Sequence, residues 1–136
     1  MAGSLSSRYA FRQVAEQQIK FGTDGWRGII ADDFTYANVR RVSQAAALYM
    51  RSRAKDPLAV VGYDCRFASE DFARAVADVF ASNGIRTLIF DRPSPTQVTS
   101  WTVIDQRATG GAVITASHNP YPVSYTHLTL PTILRV

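Results

Sequence analysis

Cysteine is almost missing from this chain. Cys65 is the single one in 136 residues, so no internal disulfide can staple the fold, and a reducing, cytoplasmic setting fits best. Lysine is scarce too: only Lys20 and Lys55 occur, which leaves arginine to carry most of the net charge of +4. Apolar runs are short. None approaches the roughly 20 residues that cross a bilayer, so no membrane partner is expected. Residues 1–7 are small and polar and lack the apolar stretch of a signal peptide. A dense basic stripe with interleaved aromatics is absent, which argues against a nucleic-acid partner. No His, Cys and Asp residues stand at metal-ligand spacing. Internal repeats and low-complexity linkers are absent as well.

What is present is the composition of one compact domain. A hydrophobic fraction of 46% against 19% charged residues can bury a core, and 136 residues suffice for one ordinary domain but not two. Residues 1–18 read as a loosely structured lead-in, and 19–21 as a brief strand entering a glycine-rich loop. Apolar residues at Val39, Val42, Ala46, Tyr49 and Met50 give a helix over 35–54 one buried face, with Thr35 as its cap. Arg40, Arg41, Arg51 and Arg53 fall on that helix and read as its solvated surface. A short apolar strand follows over 58–63. A second helix begins at Ser69 as cap, buries Phe72, Val76, Val79 and Phe80, and ends at Gly84. Residues 85–90 form another strand, two prolines make 91–96 a loop, and 97–105 suit a third helix. Gly110 and Gly111 break the chain ahead of a strand over 112–115.

Apolar strands alternating with helices predict an α/β fold: three layers, α/β/α, around a mostly parallel mixed sheet. Ligands of such sheets sit beyond the carboxyl ends of the strands. Asp64–Arg66, Arg92–Thr96 and Ser117–Asn119 all fall at such ends. The run Thr115-Ala116-Ser117-His118-Asn119-Pro120 presents a hydroxyl at the end of a buried strand beside an imidazole. It fits a nucleophile, and equally a cap at a strand–helix junction. A serine hydrolase is disfavoured, because Gly-x-Ser-x-Gly is absent and no acid is spaced to orient His118. Gly22, Gly25 and Gly28 surround Arg27 in a loop that could hold an anion or could be a tight turn. It is neither a Walker loop nor a dinucleotide fingerprint. Cys65 reads as buried filler, Trp26 as packing, and Asp32-Asp33 as a turn.

Three runs taken together, Phe-Gly-Thr-Asp-Gly-Trp-Arg-Gly over 21–28, Val-Gly-Tyr-Asp-Cys-Arg over 61–66 and Thr-Ala-Ser-His-Asn-Pro over 115–120, resemble the α-D-phosphohexomutases in order and spacing. The resemblance covers about residues 19–121 and implies that family's first, phosphoserine-bearing domain. It implies that Ser117 carries the catalytic phosphoryl group and that His118 moves a proton or contacts phosphate. It further implies that Arg27 and Gly25 bind the phosphate, with Asp64, Arg66 and Asn119 supporting the site. By the same resemblance, magnesium binds through an oxygen of the Ser117 phosphoryl group. A hexose 1,6-bisphosphate is the intermediate and activator, a phosphorylated hexose is the substrate, and domains II–IV of a longer parent supply the remaining ligands. The family's Asn-Gly-x-Lys after the serine loop is replaced here, and residues 122–136 read as a tail foreign to the family, with an authentic extra strand, suggested by its strand-forming residues, as the alternative. The isolated chain is therefore expected to be inactive as a mutase. The alternative is a non-catalytic module that binds phosphate or a phosphosugar.

Overall fold

The computed structural model describes residues 18–22, 25–116 and the backbone of 123–129. Five strands and three helices follow one another as β1 (Trp26–Ile29), α1 (Tyr36–Arg53), β2 (Leu58–Tyr63), α2 (Ser69–Ser82), β3 (Arg86–Ile89), α3 (Thr96–Asp105), β4 (Gly110–Thr115) and β5 (Val123–Thr129). They build one sheet in the order β1-β5-β4-β2-β3. Strands β2, β3 and β4 are mutually parallel, and β5 runs antiparallel to both β4 and β1, so β1 shares the direction of the other three. Helices α1 and α2 pack together over one face of the sheet, and α3 lies on the other, against β2 and β4. This is the expected three-layer α/β/α arrangement with a mostly parallel mixed sheet.

The sequence explains why the central strands sit where they do. Val60, Val61, Val113 and Ile114 are fully buried, as residues of a strand covered on both faces must be. On the α1/α2 side, Trp26 stacks on Phe34 with ring centres 4.9 Å apart, and Phe34 meets Phe72 edge-on at 4.8 Å. Met50, Phe80 and Ile85 complete that core. Thr35 caps α1, its hydroxyl accepting the Asn38 amide at 3.3 Å. Gly84 ends the turn after α2 with φ of 74°, a conformation glycine adopts without strain. All four arginines of α1 face solvent.

Several expectations give way. Arg27 lies in strand β1 and not in a glycine loop; Gly28 is buried there, and a β carbon on it would meet Asp33 Cβ at 2.9 Å and the Phe34 amide at 3.0 Å. Residues 19–21 form no strand beyond a single bridge from Phe21 to Trp26. Tyr49 is 41% exposed, with the Arg53 guanidinium 5.0 Å above its ring. Gly110 and Gly111 belong to β4, since α3 presses close: a β carbon on Gly111 would meet Val103 Cγ2 at 2.7 Å. Cys65 is exposed, because it sits in the turn that follows β2. Separately, residues 123–129 form β5 between β1 and β4.

Candidate active site

Two of the polar clusters, Asp64–Arg66 and Arg92–Thr96, follow the carboxyl ends of the parallel strands β2 and β3. Tyr63 of β2 pairs with Ile114 of β4, Ile114 with Thr126 of β5, and Thr126 with Trp26 of β1. Trp26, Tyr63 and Ile114 all belong to the core under α1 and α2. The next row across the sheet projects to the opposite face, because successive strand residues alternate. It runs from Asp64, just past β2, through Thr115 and the Tyr125 position to Arg27. Neighbouring strands lie about 4.8 Å apart, so the backbones of Arg27 and Thr115, separated by β5, are about 10 Å apart. Thr115 is two residues before Ser117. A guanidinium from early in the chain and the exit of β4 thus share one row and one face. The loop after β3 joins the same rim, with the Ser94 amide donating to the Tyr63 carbonyl at 2.8 Å.

Arg27 is exposed and borders a hollow of about 160 Å³ lined also by Lys20, Trp26, Asp33 and Asn38. Gly25, proposed as its phosphate-binding neighbour, is half-buried with φ of 152° at the entry to β1.

Asp64 is heavily hydrogen-bonded. Its Oδ1 accepts the Ser69 hydroxyl at 2.6 Å and the Arg66 amide at 3.0 Å. Its Oδ2 accepts the Ala116 amide at 3.0 Å, and the Thr115 hydroxyl also donates to the carboxylate. Burial pushes this carboxyl up, yet the hydrogen bonds from Ser69, Arg66, Ala116 and Thr115 together outweigh it and hold the group below the usual carboxylate range. The Arg66 side chain stands farther off, its Nε 4.0 Å from Oδ2. Ser69 does not cap α2 as the sequence predicts. The capping position falls instead to Ala68, in the left-handed region at φ of 59°, and the Ser69 hydroxyl turns to the carboxylate. The sequence signal was available: a serine five residues after an aspartate at a strand end has an ionised acceptor within reach, and such bonds outcompete neutral ones.

Ser117, His118 and Asn119 lie outside the described residues. The described chain reaches Ala116, immediately before the serine. Among the described residues no group of three or more His, Cys, Asp or Glu could hold a metal ion. None of the described helices is long and apolar enough to cross a membrane.

Comparison with known proteins decides the family. Residues 18–128 match the pattern of the phosphoglucomutase/phosphomannomutase alpha/beta/alpha domain I. The chain belongs to that family. It is 35% identical to a phosphoglucomutase of Staphylococcus saprophyticus over 127 residues, which cover 86% of this chain and 23% of that protein. It is 41% identical to a phosphoglucosamine mutase of Clavibacter sepedonicus over 108 residues, 75% of this chain and 24% of that one. Among solved structures, a Thermus thermophilus protein assigned as a phosphomannomutase superposes with a TM-score of 0.79 at 38% identity, covering 82% of this chain and 25% of the other. The chain spans about a quarter of the length of these relatives.

Proposed function

We propose that this phosphohexomutase domain carries the phosphoserine of a longer enzyme that interconverts hexose 1-phosphates and hexose 6-phosphates. The observation that carries the reading is the row at the sheet rim, where Arg27 and Thr115 lie on one face, with Ser117 two residues beyond Thr115. In the first half-reaction a sugar hydroxyl attacks the phosphorus on Ser117. The bond from phosphorus to Ser117 Oγ breaks, a bond to the sugar oxygen forms, and the hydroxyl proton leaves to a base; His118 is read either for that role or as a phosphate contact. The bisphosphorylated sugar turns round, and its other phosphoryl group returns to Ser117 Oγ.

The residues suit that task. A phosphoserine carries nearly two negative charges at neutral pH. Arg27 can meet it with two parallel N–H donors, each such charge-assisted bond contributing about 1.5–3 kcal/mol. Positioning and electrostatics make up most of what phosphoryl transfer asks of a protein. Gly25 allows the backbone to approach the anion beside Arg27, and Asn119 and Arg66 are read as supporting the site. The described residues offer no cluster of three or more His, Cys, Asp or Glu for magnesium. In this reading its carboxylate ligands belong to the parent's further domains, as does the choice of sugar, and the 136-residue chain alone does not turn over hexose phosphates.

Incubation of the full-length parent with glucose 1,6-bisphosphate, followed by peptide mass spectrometry, tests the reading. A phosphoryl group on Ser117 is expected, and Arg27→Ala should slow its appearance about ten- to hundredfold, as the loss of one charge-assisted contact implies. Tight binding of the bisphosphate with Ser117 left unmodified would replace the mutase with the phosphosugar-binding module.

A further inference from the structure

Asp64 ties its own turn and the start of α2 to the end of β4, 52 residues further along the chain. Its Oδ1 is fixed to Ser69, the first residue of α2, and to the Arg66 amide of its own turn. Its Oδ2 reaches across to the amide of Ala116, and the Thr115 hydroxyl adds a fourth donor. The Asp64 amide in turn donates to the Ile114 carbonyl at 3.1 Å, so residues 114 to 116 are all held by one aspartate. The side chain is only 23% exposed, which shields these bonds from competing water. These bonds all run to the chain itself, so the arrangement suits holding chain.

From this geometry we infer that Asp64 is a positioning residue, whose carboxylate sets the path of the chain from β4 into Ser117 by gripping the Ala116 amide. The inference deepens the mutase reading, on which its kinetic consequence rests. A carboxylate is required for a specific reason. Each oxygen faces a backbone N–H, Arg66 on one side and Ala116 on the other. An asparagine therefore sets its NH₂ against a backbone donor whichever way it is flipped. A hydroxyl such as Ser69 could rotate to accept; a backbone N–H cannot. The grip on Ala116 matters because the next residue is the one whose oxygen must stand in line with the transferring phosphorus, where a displacement of about 1 Å can cost about a hundredfold in rate.

Two measurements test this. In the 136-residue chain, Asp64→Asn should speed amide hydrogen exchange at Ala116 about ten- to hundredfold, the loss expected for one charge-assisted hydrogen bond, with Val60, Val61 and Val113 protected as before. Ala116 exchange at the wild-type rate overturns the proposal. So does a loss of protection spread equally over Val60, Val61 and Val113, which would make Asp64 a general prop of the fold. Should Asp64→Asn not fold, Ser69→Ala decides. It keeps the charge but frees the carboxylate from its shortest bond, and should speed Ala116 exchange several-fold; no change there is the overturning result. In the full-length parent, Asp64→Asn should lower kcat about ten- to hundredfold with KM within about twofold. An unchanged kcat in a variant whose Ala116 amide has opened overturns the positioning role. A parent whose Ser117 is never phosphorylated refutes the mutase reading instead, while the exchange result still judges the grip.

Discussion

The sheet face under α1 and α2 is filled by Trp26, Phe34, Phe72, Met50 and Phe80, all buried. The face under α3 is thin. There Gly62 and Gly111 let the helix settle onto β2 and β4, and the buried apolar group is small: Val60, Val103 and Ala108. Beyond α3, β1 leaves Arg27 and Ile29 exposed on that same face. The row of Asp64, Thr115 and Arg27 belongs to this thinner side. Bulk stabilises one face, while the other keeps space and polar groups at its rim. The largest test of that division is Phe34→Ala. Phe34 is fully buried between Trp26 and Phe72, and its truncation should cost about 3–5 kcal/mol in urea unfolding of the 136-residue chain. A loss under about 1 kcal/mol would show that the aromatic face is not where stability resides.

The thin face should respond to the opposite change. A β carbon on Gly62 would collide with Thr99 Oγ1 and lie 3.3 Å from Thr99 Cβ, so α3 must lift or Thr99 must turn. Gly62→Ala should therefore cost about 1–3 kcal/mol, although alanine is ordinarily the better strand residue, with unfolding midpoints as the readout. If Gly62→Ala is neutral, α3 is not seated as tightly as its glycines indicate, and the contrast between the faces loses its basis.

How much of this was legible in the sequence depended on the range of the interactions involved. Helices α1 and α2 and strands β2 and β4 could be read because their signals are local: Thr35 as a cap, apolar spacing from Val39 to Met50, and unbroken apolar runs. Strand β1 could not. Three glycines around Arg27 read as a loop, and the pairing that makes 26–29 a strand comes from β5, far along the chain. Gly110 and Gly111 misled for a related reason, since what requires a glycine at 111 is Val103 on a different element. At the rim, the motifs singled out Arg27, Asp64 and Ser117 as a group. Type and spacing could not say that Arg27 and Thr115 share a row, nor that Ser69 serves Asp64 instead of capping α2. Both facts depend on how the folded chain brings separate segments together.

The smallest expected effect separates two threonines on the thinner face. Thr99 is fully buried in α3, and its hydroxyl has no hydrogen-bond partner. Thr115 is buried at the end of β4, and its hydroxyl serves the Asp64 carboxylate. Valine matches threonine in shape and removes only the polar atom. An unpartnered buried hydroxyl is a liability, so Thr99→Val should stabilise the chain by about 1 kcal/mol, whereas Thr115→Val should destabilise it by about the same amount. The sign matters more than the size, because both changes add the same methyl group to the same side of the sheet. Opposite shifts of the urea midpoint would show that the polar atoms of this face were placed one by one, with the useful ones at the rim. Equal shifts in either direction would mean that the hydroxyl on Thr115 does nothing for Asp64 that the hydroxyl on Thr99 does not do elsewhere, and the rim would lose its claim to be a built site.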